Sequence, residues 1–336
     1  MKERLLGRTG LRVSEIGFGA WAIGGNAYGP VCDEDSLKAL DTAWSSGLNF
    51  FDTADIYGEG HSEALLGRFL KGKPRGQIVV ATKAGWDFYP ASAKAFPGKK
   101  GAGANHAGHR KNFDPFYIRF ACEQSLKRLG VETIDLFQLH NPSLELIRKK
   151  ELTGVLEDLK KEGKIRFVGI SVHTEAEALA ALEDPQIDAL QVIFNLLDQR
   201  MATKIFPEAK RKSIALIARE PLAHGLLTGK YPPAHEFPKD DHRRRWVREK
   251  RELDWEKIRR LRKVLDGKSI PLAQAALEYA LTFDAVSAVI PGAKTREQVA
   301  ANLEASFNPG LTPEEIRGFK ELYEREPVFR EGLIPR

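Results

Sequence analysis

The chain has 336 residues, of which 42% are hydrophobic, and a formal net charge of +6. This length and composition predict one domain over residues 1–336 with a single large core, and the modest charge indicates at most anionic small ligands rather than nucleic acid. Two cysteines are too few for a disulfide framework and favour the cytoplasm, and no apolar run approaches the roughly 18 residues that span a membrane.

Short apolar runs alternate with helical patterns along the whole chain. A strand is predicted around 13–18, followed by a helix over 35–46 in which Leu37, Leu40 and Trp44 form one face. Six further runs are predicted as strands that end at a polar residue, and a last strand follows them. The six runs are 48–51 before Asp52, 78–82 before Lys83, 134–139 before His140, 165–170 before Ser171, 189–190 before Gln191 and 214–218 before Arg219. The last predicted strand is 286–290.

This alternation is typical of βαβ units and a parallel sheet, which places the chain in the α/β class. About eight such units in this length predict a closed (β/α)8 barrel of the TIM type. In that barrel, the groups at the carboxyl ends of the strands converge on one mouth. The polar strand ends are therefore expected to lie together, and the chain is predicted to be an enzyme.

Two long connections depart from the minimal repeat. Residues 84–112 follow the third predicted strand, and residues 229–268 lie before the last helix and strand. Long loops after barrel strands usually cover the site, so both segments are expected to do so. The basic run 242–246 is diluted by acidic neighbours, which favours a solvated helix over a nucleic-acid contact.

Five short blocks of sequence stand out, in order, over nearly the whole chain. They are Gly17–Trp21, Phe51–Gly58, Asp135–His140, Gly225–Tyr231 and Ile290–Lys294. Together they resemble the aldo-keto reductase superfamily, and most of all its bacterial branch with short substrate loops. The resemblance implies a monomeric (β/α)8 barrel that binds an extended nicotinamide cofactor and reduces a small-molecule aldehyde or ketone.

The residues suit that chemistry on physical grounds. Reduction of a carbonyl by hydride needs a proton donor where the alkoxide forms, and a phenol with a pKa of about 10 holds its proton tightly unless a cation helps. The predicted donor is Tyr57, and Lys83 is expected to bring its pKa towards neutrality. Asp52 would hold Lys83 in place and His140 would polarise the carbonyl oxygen, so these four residues form the predicted catalytic tetrad.

The resemblance also assigns cofactor positions. Ser171 and Gln191 should hydrogen-bond the nicotinamide carboxamide, and the loop 221–230 should cover the pyrophosphate. The predicted cofactor-binding residues are Gly19, Ala20, Trp21, Asp52, Ser171, Gln191, Arg219, Glu220, Pro221, Leu222, Gly225, Leu226, Thr228, Gly229, Lys230, Pro291, Gly292, Ala293, Lys294, Gln298 and Asn302. The predicted substrate pocket is partly apolar and consists of Trp21, Trp86, Phe88 and Asn141.

The choice of cofactor depends on the 2′-phosphate of NADPH. Lys294 and Arg296 offer positive charge to that group, whereas a free 2′-hydroxyl would be expected to meet an acidic acceptor. NADPH is therefore predicted over NADH. No cluster of His, Cys and carboxylates has the spacing of metal ligands, so no metal is expected.

Two positions depart from the family pattern. Val172 follows Ser171 where many members have Asn, so His173 is a possible substitute for one hydrogen bond to the carboxamide. Arg219 stands where an aromatic ring is common, and Glu220 stands where Ser is usual. A guanidinium can also stack on the nicotinamide, but its charge would affect how the oxidised ring is tolerated.

Two other classes of function stay open. One is a regulatory barrel that resembles the channel-associated β subunits of the same superfamily and binds the cofactor without catalysis. The intact set of Asp52, Tyr57, Lys83 and His140 argues against it. The other is a cofactor-free (β/α)8 lyase or isomerase in which Lys83 forms a Schiff base.

Overall fold

Parallel strands surrounded by helices form the body of the protein. The computed structural model describes residues 1–25, 27–89 and 108–331. Its strands, in chain order, are β1 (Glu3–Leu5), β2 (Arg12–Ser14), β3 (Phe18–Gly19), β4 (Phe50–Asp52), β5 (Val79–Ala84), β6 (Trp86–Asp87), β7 (Arg110–Lys111), β8 (Ile134–His140), β9 (Ile165–Ser171), β10 (Ala189–Ile193), β11 (Ala215–Arg219) and β12 (Val286–Val289).

Eight of these strands form one closed barrel. β3, β4, β5 and β8 to β12 pair side by side in chain order, and every pairing is parallel. Parallel bridges from Ile16 to Val289 and from Gly19 to Gly292 join the two edges of the sheet. The predicted fold class, an α/β chain folded as a (β/α)8 barrel, is confirmed.

The helices pack on the outer face of the barrel. α3 shows why they begin and end where they do: Asp114 caps its first turn through the Phe116 amide, Pro115 starts it, and Gly130 ends it at a φ of 64°. In chain order the helices are α1 (Asp33–Ser45), α2 (His61–Leu70), α3 (Pro115–Leu129), α4 (Leu144–Lys149), α5 (Thr153–Lys161), α6 (Glu175–Leu182), α7 (Met201–Arg211), α8 (Arg248–Val264), α9 (Leu272–Leu281), α10 (Arg296–Phe307) and α11 (Pro313–Arg325).

The predicted first strand at 13–18 is wrong in detail, because the segment divides between two sheets. β1 and β2 form an antiparallel hairpin, and β3 alone enters the barrel. Leu6 and Val13 of the hairpin segment join the apolar cluster inside the barrel, together with Phe50 and Leu136. The hairpin therefore fills one end of the barrel with apolar side chains, and the opposite end is left for polar ones.

Alternation along the strands separates an apolar interior from a polar mouth. In β8, Leu136 lies in the inner apolar cluster, and Gln138 and His140 follow at the same parity towards the carboxyl end. In β5, Ala81 lies in that cluster and Lys83 follows it. The same alternation on neighbouring strands collects buried polar groups at the mouth.

The two long connections lie after β5 and β11. Of the segment 84–112, residues 90–107 lie outside the described residues, and the described part contains β6 and β7 as an antiparallel pair. The segment 229–268 contains a short 3-10 turn at His242–Arg245 and then the long helix α8. None of the helices in the described part of the chain is long and apolar enough to cross a membrane.

Candidate active site

Asp52 and Lys83 form a buried ion pair at the mouth of the barrel. They lie on the neighbouring strands β4 and β5, and each side chain is at most 3% exposed. The Lys83 Nζ donates to Asp52 Oδ1 at 2.5 Å and to the Thr53 carbonyl oxygen at 2.7 Å. Burial lowers the pKa of Lys83, and Asp52 opposes that shift. The two charges thus neutralise one another away from water.

Two amides complete the surroundings of the Asp52 carboxylate. The Nε2 atoms of Gln138 and Gln191 donate to Asp52 Oδ2 at 3.0 and 2.8 Å. Gln191, predicted as a carboxamide ligand, therefore uses its amide nitrogen on Asp52. Gln138 was not among the predicted residues, although its place two residues before His140 puts it on the same face of β8. That spacing was the signal that could have identified it.

Tyr57 lies above this ion pair in the turn that follows β4. Its ring centroid is 5.3 Å from the Lys83 Nζ and 5.9 Å from the centroid of the His140 ring. Burial raises the pKa of Tyr57, Asp52 raises it further, and Arg219 lowers it. The prediction that this pKa is brought towards neutrality is wrong in direction, because burial raises it and the nearby Asp52 carboxylate adds to the shift. The phenol consequently keeps its proton at neutral pH.

His140 presents a neutral imidazole to the same space. Its side chain is buried at the end of β8, and the ring stands nearly perpendicular to that of Tyr57. Burial lowers the pKa of His140 well below its usual value, and the positive charges of Lys83 and Arg219 lower it further. A neutral imidazole offers one N–H donor, which suits polarisation of a carbonyl oxygen without transfer of a full charge.

Ser171 and Asn141 are joined at the ends of adjacent strands. The Ser171 hydroxyl donates to the side-chain Oδ1 of Asn141 at 2.7 Å, and the backbone N–H of Asn141 donates to the Ser171 carbonyl oxygen at 3.1 Å. Asn141 has a φ of 57°, a left-handed conformation that Asn tolerates better than most residues. The structure thus places Asn141, predicted as a substrate-pocket residue, beside a predicted carboxamide ligand.

Arg219 is held on two sides at the end of β11. Its guanidinium forms an ion pair with Glu220, and its NH2 lies 2.9 Å from His173 Nδ1. Glu220 Oε2 also lies 3.0 Å from His224 Nε2. His173, the possible substitute for a missing carboxamide ligand, is thus directed at Arg219. The His224 Nδ1 lies 3.1 Å from the hydroxyl of Tyr28, which extends the network across the mouth.

The loop after Arg219 turns sharply through several left-handed residues. Ala223, His224 and Gly225 have φ values of 47°, 56° and 89°, and Gly229 ends the turn at 68°. Thr228 stabilises it by donating from its hydroxyl to the Gly225 carbonyl oxygen at 2.6 Å. The amides of Ala223 and Gly225 donate back to the carbonyl oxygens of Glu220 and Leu222, at 2.8 and 2.9 Å, so the loop holds its own turn.

Lys294 and Arg243 bring two positive charges to the far end of this groove. The Lys294 Nζ donates to the Tyr28 carbonyl oxygen at 2.7 Å, and burial followed by the charge of Arg243 lowers the pKa of Lys294. Arg243 is buried, forms a two-bond ion pair with Asp241 and lies 5.0 Å from the Tyr28 ring centroid. The prediction that the run 242–246 is solvated is wrong for Arg243, because Asp241 and aromatic rings allow its burial.

The remaining predicted cofactor positions differ in what they contact. The Gly19 and Ala20 amides donate to the carbonyl oxygens of Pro291 and Asp52, so they close the barrel. A Cβ on Gly19 would lie 2.6 Å from the Ile290 carbonyl oxygen, which explains the glycine. Beyond β12, the Gln298 Oε1 accepts from the Lys294 amide at 2.7 Å, and the Asn302 Nδ2 donates to the Gly292 carbonyl oxygen at 3.4 Å.

The predicted substrate residues line two sides of the mouth. The Trp21 ring lies 6.0 Å from Tyr57, centroid to centroid, and packs against His224 and His242. Trp86 lies on the other side, with the Lys111 Nζ 5.5 Å from its ring centroid. Phe88 instead stacks on Tyr89 at 4.1 Å. Sequence reasoning missed Lys111, which lies near the end of the 84–112 connection, beside the Trp86 ring.

Comparison with known proteins gives a consistent assignment. The sequence model of the Aldo/keto reductase family matches residues 15–324. The chain is 31% identical over 334 residues to the uncharacterized oxidoreductase YqkF of Bacillus subtilis (strain 168), across 98% of this chain and 99% of that protein. It is 36% identical over 242 residues to the NADH-specific methylglyoxal reductase of Escherichia coli (strain K12), across 68% and 70% of the two chains.

A solved structure gives the same result in three dimensions. The aldo-keto reductase AKR11C1 from Bacillus halodurans, in its holo form, superposes with a TM-score of 0.76 and 31% sequence identity. The superposition covers 96% of each chain. The likeness thus extends over nearly the whole of both proteins.

Proposed function

This chain belongs to the aldo/keto reductase family, and we propose that it reduces an aldehyde or ketone to the alcohol, with NADPH preferred to NADH. The observation that carries the proposal is the meeting of Asp52, Tyr57, Lys83 and His140 at one barrel mouth. The Tyr57 ring lies 5.3 Å from the Lys83 Nζ and 5.9 Å from the His140 ring. A proton donor, a buried cation and a neutral hydrogen-bond donor thus surround one small space.

The residues around this space fit a nicotinamide dinucleotide. Because the Ser171 hydroxyl donates to Asn141 Oδ1, the Asn141 Nδ2 remains as a donor and the Ser171 Oγ as an acceptor, which are the two groups that a carboxamide needs. The left-handed turn near Gly225 lets the backbone approach a ligand closely, and Arg243 and Lys294 beyond it offer positive charge to a diphosphate. When bound, such a cofactor supplies the hydride that reduces the carbonyl carbon.

The chain's own residues would supply the proton and the electrostatics. As negative charge develops on the carbonyl oxygen, the O–H bond of Tyr57 breaks and a new O–H bond forms on the substrate. His140, held neutral by its lowered pKa, donates a hydrogen bond to the same oxygen. The Lys83 ammonium, fixed by Asp52 at 2.5 Å, stabilises the phenolate that remains. Solvent then returns a proton to Tyr57.

The geometry disfavours the alternative of a Schiff base on Lys83. Imine formation needs a neutral amine that a carbonyl carbon can reach. The Lys83 side chain is 1% exposed, and its ammonium is engaged by Asp52 and by the Thr53 carbonyl oxygen. Borohydride trapping with a carbonyl substrate is therefore expected to leave Lys83 unmodified.

A spectrophotometric screen tests the proposed reaction. The wild-type protein is mixed with NADPH and a panel of aldehydes and ketones, and loss of absorbance by the reduced nicotinamide is followed. Turnover of at least one carbonyl compound, with its alcohol identified as the product, is the expected result. Cofactor binding without turnover of any compound would instead favour a regulatory barrel.

Removal of positive charge near α10 should weaken binding of NADPH and spare NADH. If Lys294 and Arg296 meet the 2′-phosphate, we expect the double change Lys294→Met and Arg296→Met to raise the Kd of NADPH by roughly tenfold to a hundredfold, since hydrogen bonds to charged groups contribute about 1.5–3 kcal/mol. Arg296 is 68% exposed and pairs with Glu297 at 3.1 Å, so Lys294 should account for most of the effect. Fluorescence titration with both cofactors measures it.

The control for this titration is Lys320→Met, which removes an exposed positive charge from α11. It should leave both dissociation constants unchanged. An equal loss of affinity for NADPH and NADH in the double variant would show that these side chains do not distinguish the 2′-phosphate.

Arg219 should favour the reduced cofactor over the oxidised one. We propose that its guanidinium lies against the nicotinamide, where it tolerates the neutral reduced ring but repels the positive oxidised ring. Because Glu220 pairs with Arg219, the bias is expected to be only about 1 kcal/mol, roughly fivefold in affinity. Titration of NADPH and NADP⁺ into the wild type measures this ratio.

Two variants separate the charge of Arg219 from its shape. Arg219→Tyr should bring the ratio of the two dissociation constants closer to one, and Glu220→Gln should increase it by leaving Arg219 unpaired. A ratio that neither substitution changes would mean that Arg219 does not act on the ring.

A further inference from the structure

Lys111 brings a positive charge to the substrate side of the mouth. It is half-buried on β7, where its Nζ donates to the Asn141 carbonyl oxygen at 2.5 Å and lies 5.5 Å from the Trp86 ring centroid. Asn141 follows His140 directly, so the ammonium is bonded to the residue next to the proposed carbonyl-polarising group. Burial is the main cause that lowers the pKa of His140, and the charge of Lys111 is among the others, which is consistent with this proximity.

This ammonium has no ion-pair partner among residues 1–25, 27–89 and 108–331. No carboxylate oxygen of that part of the chain lies within 4.0 Å of it. Glu177, the carboxylate that acts on it electrostatically, already accepts hydrogen bonds from the amides of His173 and Thr174. The residues outside the described ranges include no Asp or Glu, and the stretch 90–107 contains three lysines. Within the described part of the chain, Lys111 therefore has no carboxylate as a counter-ion.

Lys83 and Arg219, two other cations near His140, are each paired. Lys83 is neutralised by Asp52, and Arg219 is neutralised by Glu220. A cation that is partly removed from water without a counter-ion is unfavourable, and burial indeed lowers the pKa of Lys111. An anionic ligand that reached the Nζ would remove this penalty and gain a charge-assisted hydrogen bond.

We propose that Lys111 binds an anionic group of the substrate, so that the natural substrate is an aldehyde or ketone with a carboxylate or phosphate a few bonds from its carbonyl. This inference rests on the proposed carbonyl reduction. With the substrate's carbonyl oxygen between Tyr57 and His140, its anionic group would reach the Lys111 ammonium. The Trp86 ring would then cover the carbon atoms of the substrate that join its carbonyl to its anionic group. A neutral carbonyl compound would leave Lys111 without a counter-ion.

Steady-state kinetics on the full chain with matched substrate pairs test this proposal. One pair is succinic semialdehyde and butanal, which differ by a terminal carboxylate, and the other is glyceraldehyde phosphate and glyceraldehyde. In the wild type we expect kcat/KM to favour the anionic member of at least one pair by roughly tenfold or more. The pair with the larger preference identifies carboxylate or phosphate as the group that is bound.

Substitutions at Lys111 assign the preference to its charge. Lys111→Met should lower the ratio of anionic to neutral kcat/KM by roughly tenfold to a hundredfold, and Lys111→Arg should keep most of it. Arg110→Met is the matched control, because it removes the neighbouring charge on β7 from an exposed side chain that alternation directs to the opposite face. The control should retain the wild-type ratio.

Two results would overturn the proposal. One is a wild type that reduces both members of each pair equally well. The other is a Lys111→Met variant that loses the same factor on anionic and neutral substrates, since a lysine that merely holds the Asn141 carbonyl in place would affect both alike. A wild type that reduces no compound of the aldehyde and ketone panel, these four included, would instead refute the proposed reductase function itself.

Discussion

Tyr57→Phe should lower kcat by roughly 10²–10⁴-fold while the Kd of the cofactor stays nearly unchanged. The substitution removes only the phenolic oxygen, so the ring still packs between Trp21 and His140, at centroid distances of 6.0 and 5.9 Å. The lost group is the proposed proton donor, and the described site has no other acid at that position. Single-turnover measurement of cofactor oxidation separates this loss from any change in binding.

Tyr323→Phe serves as the control, because it makes the same chemical change in a partly buried tyrosine on α11, away from the mouth. The pH profile adds a second readout. Burial raises the pKa of Tyr57, so the protonated phenol persists on the alkaline side and kcat should show no loss from its ionisation below a pH of about 10, the pKa of free tyrosine. Wild-type rates in Tyr57→Phe would rule out the assignment.

Lys83→Met should abolish reduction and also destabilise the protein. The change leaves Asp52 as a buried charge that keeps only the amide hydrogen bonds from Gln138 and Gln191. Breaking a buried ion pair on one side typically costs about 3–5 kcal/mol. The unpaired carboxylate would also disfavour formation of the phenolate at Tyr57, since Asp52 already raises the pKa of that phenol. Denaturant unfolding and kcat measure the two effects.

A double variant distinguishes loss of stability from loss of chemistry. Adding Asp52→Asn to Lys83→Met removes the unpaired charge, so most of the free energy of unfolding should return while the reduction rate should not. Asp52→Asn alone should be milder in rate than Lys83→Met, because the ammonium remains. If the double variant regains the wild-type rate, the charge of Lys83 is not needed for catalysis.

Sequence periodicity located several strand ends, because it reflects a local property of the chain, but the predicted end at Gln191 is wrong, since β10 continues to Ile193. His140 and Ser171 are the last residues of β8 and β9 as predicted, and Asp52 is the last residue of β4. Side chains alternate across a strand whatever surrounds it, so inward and outward positions can be read from neighbouring residues. The parity of Gln138 with His140 was equally readable.

The hydrogen-bond partners of those residues could not be read in the same way. Asp52 accepts from Gln138 and Gln191 across sequence separations of 86 and 139 residues. Arg243 becomes buried only because Asp241 pairs with it and the Tyr28 ring lies beside it. Such contacts depend on how distant segments pack, and a run of basic residues by itself suggests exposure.

The sequence by itself therefore determined the class of fold, the order of the strands and the residue types at the mouth, since these follow from periodicity and from blocks that resemble a known family. Only the tertiary structure decided their electrostatics. It shows a Tyr57 whose pKa is raised rather than lowered, a neutral His140, and a Lys111 without a carboxylate partner in the described residues. The physical reason is that burial and the distances between charges set the cost of ionisation, and both arise only when strands far apart in sequence come together.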